Sequence, residues 1–201
     1  MASPVFRICI FCGSKPGRDL AYRQAAIELG TLIAEKGYEL VYGGGNVGLM
    51  GAIADACLSK GGHVIGVIPE SLIHREVEGT RVGHDRLSHL EVVATMHERK
   101  ARMAELSDAF IALPGGIGTL EELFEIYTWS QLRFHQKRIG LLNTGHFFDP
   151  LIQLLDHMVE ENFLGTETRA ELYFESNPEK LLGKVCIGKG LPINSGLATL
   201  E

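Results

Sequence analysis

Short apolar runs alternate with segments of helical periodicity along nearly the whole chain of 201 residues. The runs are continuously apolar, which is typical of strands buried on both faces of a parallel sheet. Right-handed crossovers between such strands produce a doubly wound, Rossmann-like α/β fold with helices on both faces of the sheet. The pattern predicts strands at residues 8–11, 39–42, 63–68, 90–94, 109–113, 139–142 and 172–174.

The segments between these runs carry apolar residues at helical spacing. They predict helices at residues 20–36, 49–59, 96–106, 120–132, 150–161 and 178–185. Residues 71–88 are polar and lack a clear period, so a loop is predicted there. We expect one Rossmann-like domain over residues 1–201, with a core from about residue 5 to residue 185 and a mobile tail after Lys189.

Composition narrows the class of protein. The net charge of −6 argues against a protein built mainly to bind nucleic acid, although local anion sites remain open. The apolar N-terminal stretch is too short for a signal peptide, and no uncharged apolar run reaches about 18 residues, so no membrane span is expected. The use of only four cysteines suggests a reducing compartment, and we expect the cytoplasm.

Two of the cysteines, Cys9 and Cys12, form a C-x-x-C pattern inside the first predicted strand. Residues three apart on a strand face opposite sides, so a shared redox or zinc role is not expected. The histidines show no H-E-x-x-H spacing, and the chain has no G-x-S-x-G elbow. We therefore expect neither a metal site nor a serine nucleophile.

Glycine is the unusual residue type, at 24 of 201 residues. Three glycine clusters directly follow predicted strands, at the edge where parallel sheets bind ligands. The first cluster is Cys12-Gly13-Ser14, which allows a tight turn and offers a hydroxyl and a backbone N–H to a phosphate. A simple turn with a helix cap explains this cluster equally well.

The second cluster reads G-G-G-N-V-G at residues 43–48 and matches the G-x-G-x-x-G dinucleotide pattern. Glu70, at the end of the following strand, is a candidate ribose ligand. Against this interpretation, the cluster follows the second strand rather than the first, and another glycine loop competes for the same edge. The alternative is that these glycines allow close packing of a helix on a strand.

The third cluster is the most specific, with the sequence P-G-G-I-G-T-L-E-E at residues 114–122. Its glycines let the backbone approach a ligand, and the helix that follows starts with free N–H groups that favour an anion. No lysine follows Gly118, so this is not a Walker loop. Glu121, Glu122 and Glu125 crowd the first helical turns. Compensation of the helix dipole is the alternative, but carboxylates beside an anion loop better fit a cation, a hydroxyl or a developing positive charge.

A further signal is an arginine on the apolar side of a predicted helix. Met96, Arg99, Met103 and Leu106 fall at positions i, i+3, i+7 and i+10 and share one stripe. Arg99 either extends to solvent at the helix start or pairs with a ligand or a carboxylate at the sheet edge. This helix leads into the strand that carries the third cluster, so the two can meet in space.

The third cluster and the segment M-H-E-R-K at residues 96–100 together closely resemble the LONELY GUY family, whose hallmark is P-G-G-x-G-T-x-x-E. The resemblance extends from about Val5 to Leu182 and includes the first two glycine clusters. It implies a cytokinin riboside 5′-monophosphate phosphoribohydrolase, a Rossmann-like homodimer that needs no metal and no nicotinamide cofactor. The family has often carried a lysine decarboxylase label, but no pyridoxal site is recognisable in the sequence.

The resemblance also implies roles for individual residues. Catalysis is expected from Arg99, Glu122 and Glu121. The resemblance implies substrate contacts from Glu76, Arg99, Lys100, Gly116, Ile117, Gly118, Thr119, Leu120, Glu121, Glu122 and Thr128. The first two glycine clusters add Ser14, Gly44 and Gly45 as expected contacts. This chain departs from plant members in a longer segment between Glu76 and Arg99, and in Ile117, which replaces a tyrosine and is expected to alter contacts with the base.

The expected reaction is hydrolysis of the N-glycosidic bond of AMP or an N6-modified AMP, which releases the free base and ribose 5-phosphate. A small nucleoside monophosphate is then the expected partner. Two other functions stay open: a carrier that binds a nucleotide or cofactor without catalysis, and a nicotinamide-dependent oxidoreductase that uses residues 43–48. The paired glutamates and Arg99 favour an enzyme.

Overall fold

A computed structural model of the chain describes residues 5–73, 76–77, 80–81 and 83–186. Its strands are β1 (Arg7–Phe11), β2 (Glu39–Tyr42), β3 (His63–Pro69), β4 (Glu76–Val77), β5 (Thr80–Arg81), β6 (His89–Val93), β7 (Ala109–Ala112), β8 (Arg138–Leu142) and β9 (Leu172–Glu175). Within these residues a seven-stranded parallel sheet has the order β6-β3-β2-β1-β7-β8-β9, and β4 and β5 pair separately.

Helices cover both faces of the sheet. They are α1 (Leu20–Glu35), α2 (Gly48–Ser59), α3 (Glu70–Ile73), α4 (Met96–Leu106), α5 (Ile117–Gln131), α6 (Asp149–Glu160), α7 (Thr166–Ala170) and α8 (Pro178–Val185). One core contains residues of α1, α2 and α8, and a second core contains residues of α4, α5 and α6 on the other face. The predicted doubly wound, Rossmann-like α/β fold is therefore confirmed.

The alternation of side chains along β1 separates its two cysteines. Cys9 belongs to the core with α4 and α5, whereas Cys12 belongs to the core with α1 and α2. Both cysteines are free thiols, as are Cys57 and Cys186. The prediction that Cys9 and Cys12 face opposite sides of the strand is confirmed.

The predicted loop at residues 71–88 is wrong in part. The segment holds most of α3, the short β4–β5 hairpin and a bridge from Gly83 to Gly45. Glu70, considered above as a ribose ligand at a strand end, instead begins α3. Strands of two residues and a helix of four residues are too short to produce a recognisable hydrophobic period.

Several other boundaries differ from the prediction. Helix α5 begins at Ile117 rather than at Leu120, because Gly118 and Thr119 take part in its first turn. Helix α7 and a 3-10 turn at Thr144–His146 were not predicted, since neither has an apolar stripe. Met96, predicted to share the buried stripe of α4, is 43% exposed at the helix start. The predicted mobile tail after Lys189 lies outside the described residues.

The order of the strands determines where the glycine loops meet. The chain builds outward from β1 through β2, β3 and β6, and then continues with β7 on the opposite side of β1. The carboxyl ends of β2, β1 and β7, each followed by a glycine cluster, therefore lie side by side. The edge at β1 and β7 is the topological switch point, where α/β sheets form a ligand crevice. Among the described residues, no helix is both long and apolar enough to span a bilayer.

Candidate functional site

A cavity of about 690 Å³ opens at the carboxyl edge of β2, β1 and β7. Parts of all three glycine clusters form its wall, together with the start of α4 and the first turns of α1 and α5. The predicted site residues that line this cavity are Ser14, Gly45, Arg99, Gly116, Ile117, Gly118, Thr119, Glu121 and Glu122. Residues far apart in the sequence thus meet in one concave surface, the usual form of a ligand site.

The loop after β1 is fixed to both of its neighbours. The N–H of Gly13 donates to the Pro114 carbonyl at 3.1 Å, and its own carbonyl accepts from the N–H of Leu49 at 3.0 Å. A Cβ on Gly115 would lie 2.9 Å from the Gly13 nitrogen and would overlap the hydroxyl of Thr119. Glycine is required at position 115 because two backbone segments and a side chain converge there.

Gly43 leaves space for the side chain of Arg99. A Cβ on Gly43 would overlap the Nη2 atom of Arg99. The Nε–H of Arg99 donates to the carbonyl of Val67 at 3.2 Å, so the guanidinium lies at the ends of β2 and β3. At this position the second glycine cluster therefore allows the close approach of a charged side chain, rather than the packing of a helix on a strand that was considered from the sequence.

Arg99 and Glu122 form an ion pair in the cavity wall. The Nη1 atom of Arg99 lies 2.9 Å from Oε1 of Glu122, and the side chains are only 11% and 9% exposed. Burial raises the pKa of Glu122 above its ordinary value of 4.5, while the charge of Arg99 opposes that shift. The predicted pairing of Arg99 with a carboxylate at the sheet edge is confirmed. The ion pair with Arg99 is the contact that the described residues give to the buried Oε1 atom of Glu122.

Lys100 points to the other carboxylates of α5. Its Nζ atom hydrogen-bonds to Oε1 of Glu121 and lies 3.1 Å from Oε1 of Glu125. Burial disfavours the lysine charge, but the two carboxylates outweigh it and raise the pKa of Lys100. Lys100 therefore joins α4 to α5 and holds Glu121 at the cavity.

The start of α5 is open to an anion. Gly116, the residue before the helix, offers no side-chain cap, and the N–H of Leu120 bonds back to the Gly116 carbonyl at 3.2 Å. The three preceding N–H groups of the helix therefore have no partner within the helix. Apart from the adjoining backbone, no atom lies within 4 Å of the position that a Cβ would take on Gly116 or Gly118, so the space beside them is free. Free N–H groups at the positive end of a helix favour a phosphate or carboxylate.

Some of the predicted contacts lie elsewhere. Gly44, Lys100, Leu120 and Thr128 are not among the residues that line the cavity. Thr128 is exposed on α5, and its hydroxyl donates to the Phe124 carbonyl at 2.7 Å. The Glu76 backbone lies in β4, and the predicted contact of its side chain falls outside the described part of the chain.

Several cavity residues were not predicted from the sequence, among them Lys15, Tyr22 and Phe147. Tyr22 and Phe147 pack edge to face with ring centroids 5.8 Å apart, and Gly17 lies under the Tyr22 ring. The three residues come from two loops and one helix start, so no period connects them. The one signal in the sequence was the polar, glycine-containing segment after β1, which has no hydrophobic period of its own.

A cavity at the switch point of a doubly wound sheet, bounded by an uncapped helix and a buried ion pair, defines a Rossmann-like protein with a candidate ligand site at its strand ends. A family model described as "Possible lysine decarboxylase" matches residues 50–185. Sequence relatives identify the group more closely, and the chain belongs to the LONELY GUY family.

Two relatives illustrate the sequence similarity. The chain is 53% identical over 163 residues to the cytokinin riboside 5′-monophosphate phosphoribohydrolase LOG of Oryza sativa subsp. japonica. The aligned region covers 81% of this chain and 65% of the rice protein. It is 49% identical over 179 residues to the phosphoribohydrolase LOG1 of Arabidopsis thaliana. This aligned region covers 89% of this chain and 82% of the Arabidopsis protein. The chain therefore spans slightly less than two thirds of the rice protein.

Solved structures share the fold at low sequence identity. The molybdenum cofactor binding protein of the phototrophic bacterium Rippkaea orientalis matches with a TM-score of 0.67 at 22% identity, over 92% of this chain and 98% of that one. The molybdenum cofactor carrier protein of Chlamydomonas reinhardtii matches with a TM-score of 0.66 at 20% identity, over 91% and 97% of the two chains. These similarities show a common fold.

Proposed function

We propose that the protein hydrolyses the N-glycosidic bond of AMP or an N6-modified AMP and releases the free base and ribose 5-phosphate. The observation that carries this proposal is the buried carboxylate of Glu122, paired with Arg99, beside the uncapped N-terminus of α5. The names of the rice and Arabidopsis relatives, both cytokinin riboside 5′-monophosphate phosphoribohydrolases, support the same reaction.

In this proposal the two ends of the substrate have different partners. The 5′-phosphate binds the N–H groups around Gly116, Ile117, Gly118 and Thr119, and the ribose extends toward Glu122 in the next turn of the helix. Cleavage develops positive charge at the anomeric carbon, as in glycoside hydrolysis. A carboxylate stabilises that charge and can orient the attacking water. Water adds to the anomeric carbon while the electron pair of the C–N bond stays on the base, which takes up the proton that water releases.

Arg99 has two roles in this reaction, one electrostatic and one in positioning Glu122. Its positive charge opposes the effect of burial on Glu122 and so favours the ionised carboxylate. Its bond to the Val67 carbonyl fixes the guanidinium, and with it the carboxylate, relative to the sheet. Glu121, held by Lys100, adds a second carboxylate at the same wall.

The assembly and the compartment are also proposals. We infer a homodimer in the cytoplasm, with no metal and no bound cofactor required for the reaction. The family resemblance supports the dimer, and four free cysteines support a reducing compartment. Light scattering of the purified protein tests the dimer, because a monomer at micromolar concentration would contradict it.

The function is tested by incubating the protein with AMP and with N6-isopentenyl-AMP, and by measuring free base and ribose 5-phosphate in equal amounts. Release of both products from either nucleotide is expected. Tight binding of these nucleotides without any base release would instead favour a carrier. Carbon dioxide release from lysine, with no base released from a nucleotide, would support the activity in the family model's description and overturn the proposal.

A further inference from the structure

Lys15 is a cationic residue that lines the cavity and has no role in the reaction proposed above. Among the described residues, Lys15 and Arg99 are the cationic residues that line the cavity. Arg99 is paired with Glu122. The ammonium group of Lys15 forms no ion pair or hydrogen bond within the part of the chain that the structure describes.

The backbone of Lys15 is fixed beside the loop that leads into α5. Its carbonyl oxygen lies 3.0 Å from the position that a Cβ on Gly13 would take, and the Cα of Gly115 lies 3.3 Å from the same point. Its amide nitrogen lies 2.5 Å from the corresponding position on Gly48, at the start of α2. A lysine there carries its charge on a flexible four-carbon stem and can reach over the glycine loop.

The other charged residues of the cavity indicate which ligand group Lys15 binds. Glu121 and Glu122 place two carboxylates in the same wall. Glu122 is paired with Arg99 and Glu121 with Lys100, so neither of those cations is left to pair with a phosphate at the start of α5. The ammonium group of Lys15, which can reach over the glycine loop, is the cation that remains to neutralise a phosphate there.

We propose that Lys15 pairs with the 5′-phosphate of the substrate and so strengthens the binding of a phosphate monoester. This inference rests on the proposed function, since it assigns one end of the same ligand. The ligand then lies between two charges of opposite sign. Its dianionic phosphate faces Lys15, and the carbon that becomes positive faces Glu122.

This assignment separates binding from catalysis. The phosphate does not change its bonding during the reaction, so its contact with Lys15 has the same strength in the ground state and the transition state. Interactions of that kind lower KM without changing kcat. Glu122 and Arg99 act on the reacting carbon, and their loss is expected to lower kcat.

The test compares Lys15→Ala and Lys15→Arg with the wild type, and uses Arg18→Ala as the matched control. Arg18 is exposed in the same loop but is not among the cavity residues. Binding of ribose 5-phosphate and AMP, measured by calorimetry, is expected to weaken roughly ten- to a hundredfold in Lys15→Ala. Lys15→Arg should retain most of the affinity, and Arg18→Ala should match the wild type. Binding to Lys15→Ala should also depend less on ionic strength, a change that a purely structural role would not produce.

Equal binding of ribose 5-phosphate by the wild type and Lys15→Ala overturns the assignment of Lys15, whether or not AMP is hydrolysed. A wild type that binds neither ligand overturns it as well. If Lys15→Ala lowers affinity but no nucleotide is cleaved, the phosphate contact stands and the proposed reaction fails. A decrease in kcat with unchanged KM would place Lys15 at the reacting atoms and contradict the proposal.

Discussion

The guanidinium of Arg99 occupies the space that a side chain on Gly43 would need. Gly43 is in the loop after β2. Arg99 is in the first turn of α4, which covers the face of the sheet opposite to α1 and α2. The absence of a side chain at position 43 therefore allows the arginine to reach Glu122. This relationship connects the second glycine cluster to the reacting end of the cavity.

We expect Gly43→Ala to displace Arg99 while the fold is kept, because the overlapping atom is the end of a flexible side chain. A displacement of about 1 Å near the chemistry can cost roughly a hundredfold in rate. The rate of base release from AMP measures the effect of displacing Arg99, and the circular dichroism spectrum shows whether the fold is kept. Gly183→Ala is the matched control, since nothing lies within 4 Å of a Cβ at that helical position and the substitution should be neutral or stabilising. Full activity in Gly43→Ala would contradict the positioning role of Arg99.

Glu122→Gln keeps the shape of the side chain and removes its charge. We expect kcat to fall by about a hundred- to ten-thousandfold, the usual contribution of a positioned acid or base. Single-turnover release of base separates this effect from substrate binding. Glu28→Gln, on the far side of the sheet in α1, is the control and should leave kcat unchanged. A wild-type kcat in Glu122→Gln would remove this residue from the mechanism.

Glu122 should also make stability depend on pH. Its folded-state pKa lies above 4.5, so the folded protein binds this proton more tightly than the unfolded chain does. The contribution to stability is therefore complete below the unfolded-state pKa and is lost as the pH rises through the folded-state pKa. The wild type should lose stability relative to Glu122→Gln as the pH rises above 4.5, the ordinary pKa of a glutamate. Urea unfolding across a pH series measures the difference, and two parallel curves would show that Glu122 does not titrate in this way.

Lys100→Met removes the cation that lies between Glu121 and Glu125. The two carboxylates are then left to repel each other, and Oε2 of Glu125 is buried without a hydrogen bond. We expect a loss of roughly 2 kcal/mol in the free energy of unfolding, measured with urea. Lys60→Met is the control, because its ion pair with Glu35 is about half exposed and should contribute less than about 1 kcal/mol. Equal effects of the two substitutions would contradict the role of Lys100 as a buried link between α4 and α5.

Ile117 is 83% exposed at the edge of the cavity. Ile117→Ala should change the free energy of unfolding by no more than about 0.5 kcal/mol. If this side chain contacts the base, KM for N6-isopentenyl-AMP should rise more than KM for AMP, because the isopentenyl group loses apolar contact. Steady-state kinetics with both nucleotides make the comparison. An equal change for both substrates would indicate that Ile117 does not contact the N6 substituent.

Much of the fold and part of the site could be predicted because they depend on local patterns. Continuous apolar runs identified the strands of the large sheet, and parallel pairing then placed the three glycine clusters at one edge. The partner of Arg99 could be predicted only as a class, a carboxylate, because the contact with Glu122 depends on how α4 and α5 pack. Lys15, Tyr22 and Phe147 were missed for the same reason, since only the assembled loops bring them to one cavity. The β4–β5 hairpin was missed because four paired residues carry no period.

The hydrogen bonds that join Gly13 to Pro114 and Leu49 are made entirely between backbone groups of the protein itself. Much of the conformational entropy that a phosphate-binding loop would otherwise lose on binding is therefore already lost on folding. A wall of this kind is preorganised, and its backbone should superimpose closely between free and occupied crystals. Affinity and discrimination can then be adjusted by changing single side chains around it, such as Lys15 and Ile117, without rebuilding the loops.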